Sequence, residues 1–287
     1  MVVNIRTAAA SDASACGPII YEAFKGINEA HGFPKDFPSV EIATHLAGAF
    51  IADPSIFGVI AEVDGKVAGS NFLWEGDPIR AVGPISVDPA VQGAGIGRRL
   101  MQAVIERGKD AAGIRLVQDA FNTRSISLYA SLGFQAKEPL MLMSGRPVSR
   151  PGPEFEVRPL TLEDAAACGE LCRRVHGFPR DSDVAGALKM FQPFVVRRGG
   201  RVTGYLTAAA FWIPNHGVAE TEEDMKALIG GAAGAVSDPI SLLIPVRQAS
   251  LFRWCLGEGM RVVKPMTLMA IGAYQEPKGS FFPSVLY

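Results

Sequence analysis

The residue types that could do chemistry concentrate in one stretch, Val87-Asp88-Pro89-Ala90-Val91-Gln92-Gly93-Ala94-Gly95-Ile96-Gly97-Arg98-Arg99-Leu100. A β-branched strand is expected to end at Val87, and Asp88-Pro89 turns the chain. The alternating Gly93, Gly95 and Gly97 lead into a helix with Leu100, Met101, Val104 and Ile105 on one face and Arg99, Gln102 and Glu106 on the other. Strand, glycine loop and helix N-terminus form the arrangement in which backbone N–H groups converge on an anion. Arg98 and Arg99 in the first helical turn oppose the helix dipole, a local cost that a bound polyphosphate reverses. The loop is thus expected to hold a phosphorylated cofactor.

The spacing narrows which one. A dinucleotide-binding unit places its glycines after its first strand as G-x-G-x-x-G, with an acid about 20 residues on. Here they follow roughly the fourth strand, as G-x-G-x-G. A Walker loop needs Gly-Lys-Ser/Thr, which is absent. A second stretch follows, Asn122-Thr123-Arg124-Ser125-Ile126-Ser127-Leu128-Tyr129-Ala130-Ser131-Leu132-Gly133-Phe134. Gln92 to Gly97 fits Q/R-x-x-G-x-G/A, and with the second stretch it resembles the GNAT superfamily of acyl-CoA-dependent N-acyltransferases.

The resemblance implies acetyl-CoA (coenzyme A) as cofactor and assigns roles. The strand Ile85-Ser86-Val87 splays from the strand ending at Asp119-Ala120, and the pantetheine arm pairs with backbone in the wedge. Gln92, Gly93, Ala94, Gly95, Ile96, Gly97 and Arg98 hold the pyrophosphate, and Asn122 and Ser125 contact the pantetheine and phosphate side. An amide next to Ile85 or Val87 polarises the thioester carbonyl. Tyr129 occupies the position of the general acid that protonates the departing thiolate. Pro84 and Gly83 fit the splay, because they weaken regular sheet pairing.

The elements that position these residues can be read in order. Val2 to Arg6 is a short strand, and Ser11-Asp12 caps a helix through Cys16, Ile19, Ile20 and Phe24. Gly26 to Pro38 reads as a loop and Val40 to Phe50 as a second helix. Strands Phe57 to Val63 and Lys66 to Trp74 meet at Asp64-Gly65, a hairpin signal. Ala81 to Val87 is the next strand, with a bulge or interrupted pairing at Pro84. Ile114 to Ala120 is a strand, Arg124 to Ser131 a helix stopped by Gly133, and Phe134 to Met143 the last strands of the unit.

A second copy follows the proline- and glycine-rich 147–154 stretch. Ile5-Arg6 and Asp12 to Gly17 recur as Val157-Arg158 and Asp164 to Gly169, and His31-Gly32-Phe33-Pro34 as His176-Gly177-Phe178-Pro179. Gly65 to Gly69 recurs as Gly200 to Gly204, and Gly133 with Pro139, Leu142 and Met143 as Gly259 with Pro265, Leu268 and Met269. The expected organisation is α/β (α+β): a catalytic domain over 1–146, a linker over 147–154 and a degenerate GNAT-like domain over 155–287. Each domain is expected to hold a mixed, largely antiparallel sheet flanked by helices, with the V-shaped splay in the first. In the copy, Glu220, Glu222, Glu223 and Asp224 stand where a pyrophosphate would bind, and Cys255 aligns with Tyr129. One cofactor site in two units is expected.

Composition sets the outer bounds. A chain of 287 residues with 48% hydrophobic and 20% charged residues has material for two cores. A formal charge of −1 gives no general attraction to nucleic acid or anionic membrane. Cys16, Cys168, Cys172 and Cys255 lack metal-ligand spacing or disulfide density, so they read as core residues with no metal. No signal peptide or membrane span is evident, and the default location is a reducing cytoplasm.

The function expected is direct acetyl transfer to a primary amine of a small molecule or peptide, with monomer and homodimer both left open. The alternative is a catalytically silent acyl-CoA-binding sensor or scaffold. Glu22, Glu29, His31, Glu75 and Asp119 are candidates for the base that deprotonates the amine. The repeat of His31 as His176 points instead to a structural turn.

Overall fold

The two halves open with the same clasp. The Arg6 guanidinium donates to both carboxylate oxygens of Asp12 at 2.7 and 2.8 Å, and Arg158 does the same to Asp164 at 2.7 and 2.8 Å. Each acid also accepts a backbone N–H three residues upstream, from Ala9 and Thr161. This pins the first strand of each half to the helix that follows. The computed structural model in which these pairs are seen describes residues 2–285.

The first half runs β1 (Val3–Thr7), α1 (Ala13–Ala30), α2 (Val40–Ala52), β2 (Ile56–Val63), β3 (Lys66–Trp74), β4 (Ile79–Val82), β5 (Ser86–Val87), α3 (Ile96–Arg107), β6 (Gly113–Asp119), α4 (Thr123–Ser131) and β7 (Gln135–Gly145). The second runs β8 (Phe155–Pro159), α5 (Ala165–His176), α6 (Asp181–Met190), β9 (Phe194–Arg198), β10 (Arg201–Leu206), β11 (Gly217–Ala219), α7 (Glu222–Ala235), β12 (Ile240–Pro245), α8 (Ala249–Gly257), β13 (Arg261–Gly272) and β14 (Ser280–Phe282). The order is that of a mixed α/β protein built twice.

In the first compact unit, residues 1–116 and 121–134, strands β1, β2, β3 and β4 run antiparallel, and β4 pairs in parallel with the start of β6. The last β4–β6 partners are Ala81 and Arg115, and β5 pairs instead with β3, at Ser86–Ser70 and Val87–Gly69. From Val82–Leu73 to Ser86–Ser70 one strand advances four residues and the other three, a one-residue bulge that contains Pro84. The expected continuous strand over Ala81 to Val87 is therefore two short strands. Gly69 makes the close approach possible, since a Cβ there would lie 2.6 Å from the Ser86 carbonyl oxygen. Helix α3 seats Ile96, Leu100, Met101 and Val104 against β2 and β3. Burying each is worth roughly 1.5–3 kcal/mol.

The second compact unit comprises residues 117–120 and 135–287. Its five-stranded antiparallel sheet has the order β14-β11-β10-β9-β8, with α7 packed on β8, β9 and β10. Beside it, β7 is paired on one edge with β13 and on the other with β12.

Two expectations change. Helix α1 continues through Gly26 to Ala30, shortening the anticipated loop, because one glycine costs a helix interior only about 1 kcal/mol. The contacts divide the chain at Phe134 and not at the 147–154 linker. The reason is β7, expected as the last strand of the first domain, whose ladder partners over its whole length are second-half strands.

The Arg158–Asp164 clasp carries a pH signature. Arg158 holds the buried Asp164 carboxyl at about 2, below its ordinary 3.8. A lowered folded-state pKa contributes stability above the unfolded value and loses it as pH falls through the folded one. Between pH 5 and 2 the stability gap between the native chain and Asp164→Asn should narrow by about 2 kcal/mol in denaturant titrations. A constant gap would contradict the clasp.

Candidate active site

The wedge presents backbone amides. The Asp88 N–H donates to the Ala68 carbonyl at 2.9 Å, toward β3. N–H groups alternate sides along a strand, so those of Val87 and Ile85 point away from β3, in the part of the chain past the last β4–β6 partners, Ala81 and Arg115. Ser86, the residue between, is buried toward β3 with its hydroxyl 3.2 Å from that of Ser70.

The glycine loop follows directly. Gly93 and Gly95 have φ of +92° and +78°, the left-handed region that favours glycine. Gly95 is the N-cap of α3 and has no side chain to cap it, so the first-turn amides of Ile96, Gly97 and Arg98 depend on outside acceptors. Ile96 is buried and anchors the turn, while Gly93, Ala94 and Gly95 are exposed. Gly97 lies inside the helix and not in the loop ahead of it.

Gln92 ties the loop to its surroundings, donating from Nε2 to the Val87 carbonyl at 3.1 Å and accepting from Arg124 at 3.5 Å. Arg124 also reaches the space over Gly93. The two arginines of the first turn point elsewhere. Arg98 donates to the Ser131 hydroxyl at 2.8 Å and Arg99 to the Val3 carbonyl at 2.6 Å. Arg124, which the loop pattern alone did not single out, is the cation beside the glycines.

Asn122 is the N-cap of α4, its Oδ1 accepting the Ser125 N–H at 3.1 Å. The structure thus joins Asn122 and Ser125 to each other. One face of α4 carries Tyr129, 5% exposed, with its ring edge-on to Phe134 at 6.2 Å.

The candidate bases are scattered. Glu75 is paired with Arg107 at 3.0 Å, and Asp119, in the second unit, with Lys264 at 2.7 Å. Glu22 and Glu29 face Lys25 and Lys35 on the surface. His31 is exposed; its Nδ1 lies 2.9 Å from the Ile27 carbonyl, and its ring stands 5.1 Å from that of Phe121, which stacks on Phe33. A carbonyl only accepts, so Nδ1 carries the proton. His176, its repeat partner, is instead fully buried.

The second unit has the corresponding places with different chemistry. The Thr221 hydroxyl caps α7 by accepting the Asp224 N–H at 3.1 Å, and the first turn carries Glu222, Glu223 and Asp224. That helix end is satisfied internally and repels anions. Burial pushes the thiol of Cys255 up to about 12.

Spacing alone also missed a cluster there, Cys172, His176 and His216, with donor atoms within 4.8 Å of one another. Arg180 Nη1 lies 3.0 Å from His216 Nδ1, and a guanidinium only donates. The ring proton of His216 therefore sits on Nε2, 3.1 Å from the Tyr205 hydroxyl and 4.0 Å from Cys172 Sγ. Burial, reinforced by Arg180 and His176, holds His216 well below the usual imidazole range. The ring is neutral and bonded on both sides, an arrangement that orders a core and leaves no lone pair toward the sulfur.

Comparison with known proteins bears on this geometry. Residues 20–134 match the model of the acetyltransferase (GNAT) family. This region of the chain belongs to the GNAT family. Acetyltransferases of the family take their acetyl group from acetyl-CoA. A mycothiol acetyltransferase of Nocardiopsis dassonvillei is 34% identical over 93 residues, 29% of this chain and 28% of that protein. The chain thus spans little more than a quarter of that curated relative's length.

A solved structure from Pyrococcus horikoshii, described as an acetyltransferase, aligns with 99% of this chain and 94% of its own at a TM-score of 0.75 and 15% identity. A tandem GNAT protein from the clavulanic acid biosynthesis pathway aligns over 97% of this chain and 99% of its own, at a TM-score of 0.60 and 13% identity. At such identities the likeness is one of fold, two GNAT-like domains in succession. Among the described residues no helix is long and apolar enough to cross a membrane.

The loop is open to direct test. In Gly95→Val a β-branched residue would sit at φ +78°, straining the turn by about 1–2 kcal/mol and tilting the amides out of line. Calorimetric titration should show acetyl-CoA affinity reduced roughly tenfold or more with the circular dichroism spectrum retained. Unchanged affinity would remove the loop from the binding site.

Proposed function

We infer that the GNAT unit is an acetyl-CoA-dependent N-acetyltransferase that moves the acetyl group directly to a primary amine of a small molecule or peptide. The observation that carries this reading is the pair of outward amides, Ile85 and Val87, between an uncapped glycine-led helix end and the helix that bears Tyr129.

The bound cofactor supplies an acetyl group activated as a thioester. The Ile85 and Val87 N–H groups are placed to hydrogen-bond an extended amide chain and to donate to the carbonyl oxygen as it gains charge. Gln92 to Arg98, with Arg124 alongside, hold the diphosphate at the α3 N-terminus. Tyr129 would supply its phenolic proton to the departing thiolate, and a base would take the proton that the attacking amine loses. Direct transfer is favoured because burial raises the Cys16 thiol to about 11, away from the thiolate a covalent route needs. The cysteines are free and buried, which fits a reducing cytoplasm. The mycothiol acetyltransferase likeness, confined to about a quarter of each chain, supports acetyl transfer and leaves the amine open to a panel.

CoA release measured across that panel, repeated with Tyr129→Phe, tests the assignment. The variant keeps the ring against Phe134 and should lose roughly 10²–10⁴-fold in kcat with little change in the KM for acetyl-CoA. Tight acetyl-CoA binding with no amine giving turnover would favour the sensor reading instead. Full activity in the variant would remove Tyr129 from the mechanism.

A further inference from the structure

The second unit closes its own wedge. Register identifies the equivalent strands without reference to side chains. In the first unit the Asp88 N–H donates to Ala68 and Val87 lies opposite Gly69; in the second the Glu220 N–H donates to Thr203 and Ala219 lies opposite Gly204. β11 is therefore the counterpart of β5, with Gly217 and Ala219 in the places of Ile85 and Val87. Among the described residues β5 pairs with β3 alone. β11 pairs on its outer edge with β14, Gly217 opposite Phe282 and Ala219 opposite Ser280. The edge amides left over in one unit are taken up in the other by three residues of the chain itself.

A second contact points the same way. Gln248 is the N-cap of α8, as Asn122 is of α4, and the two correspond by the repeat that aligns Cys255 with Tyr129. Asn122 turns its oxygen back onto its own helix, whereas Gln248, one methylene longer, makes no such cap. Its Nε2 donates to the Phe281 carbonyl at 2.5 Å, and its Oε1 accepts from the Phe281 N–H at 3.0 Å and the Ser280 hydroxyl at 2.9 Å. The segment is thus bracketed, β11 on one edge and the amide of Gln248 on the other. Arg180 extends the hold, donating to the Ser284 hydroxyl at 3.1 Å from the same side chain that reaches His216. The fit is tight: a Cβ on Gly217 would fall 2.2 Å from the Phe282 ring, and Phe281 and Phe282 are fully buried.

We propose that Ser280–Phe282 is an internal ligand that occupies, in the second unit, the groove corresponding to the pantetheine groove of the GNAT unit. The chemistry matches, since pantetheine is an extended chain carrying two amides, and a strand offers the same N–H and C=O groups at similar spacing. This rests on the reading of the first wedge as the cofactor groove. Its consequence is that the second unit holds the shape of a loaded acyltransferase with no cofactor at all, fit for structural use.

Hydrogen exchange on the full chain tests it, with and without saturating acetyl-CoA. Amides in 216–220 and 280–282 should exchange slowly from the start and be unaffected by acetyl-CoA, while those in 84–88 should slow when it is added. Gln248→Ala should speed exchange in 216–220 and 280–282 several-fold and leave kcat unchanged; Gly217→Val, which crowds Phe282, should do so more strongly. Fast exchange at 216–220 in the native chain, or slowing there on acetyl-CoA addition, would overturn the proposal. Failure of 84–88 to respond would count instead against the cofactor reading of the first unit.

Discussion

A strand edge inside a folded protein cannot leave its N–H and C=O groups without partners, and the architecture of this chain follows from how that requirement is met at two equivalent edges. At β11 the partner is β14, three residues of the same chain, held from behind by Gln248. At β5 the corresponding amides of Ile85 and Val87 point away from β3, beyond the last β4–β6 partners, Ala81 and Arg115. A buried amide left unsatisfied costs on the order of 1–3 kcal/mol; Ile85 and Val87 are only half-buried, so their edge stays open at lower cost. One copy closes its edge with its own chain, whereas in the other β5 pairs, among the described residues, with β3 alone.

The helix ends beside the two grooves diverge in the same sense. α3 begins at a left-handed Gly95 with no capping side chain, and Arg124 stands by. α7 begins at Thr221, whose hydroxyl satisfies an amide, and adds three acids in its first turn. The dipole is the same in both; the first end has no acid in its first turn and the second has its own negative charges in place. Tyr129 in one copy and Cys255 at the aligned position of the other complete the contrast, a buried phenol replaced by a buried thiol. β7, which precedes the 147–154 stretch, is held along its length by β12 and β13 within the second unit.

Much of this could be read in the sequence, and the parts that could not share a cause. Gly93 and Gly95 were legible because a left-handed turn nearly demands glycine, and Pro84 because proline cannot serve a regular ladder. The duplication was legible from Arg6 and Asp12 recurring as Arg158 and Asp164. Partners distant in sequence were not: nothing local marks β7 as destined for β12, or Ser280 to Phe282 as the partner of β11. The roles of Arg98 and Arg124 depend on which way long side chains turn, and the distinction between Asn122 and Gln248 rests on a single methylene that shows its effect only once both helix ends are in place. The Cys172, His176 and His216 cluster combines α5 with a residue beside β11, a juxtaposition that only topology creates.

If one groove is open to acetyl-CoA and its twin is closed by the chain, binding stoichiometry reports it most directly. Native mass spectrometry of the full chain across a titration with acetyl-CoA should show saturation at one cofactor per chain. A second molecule bound per chain at saturation would contradict the account.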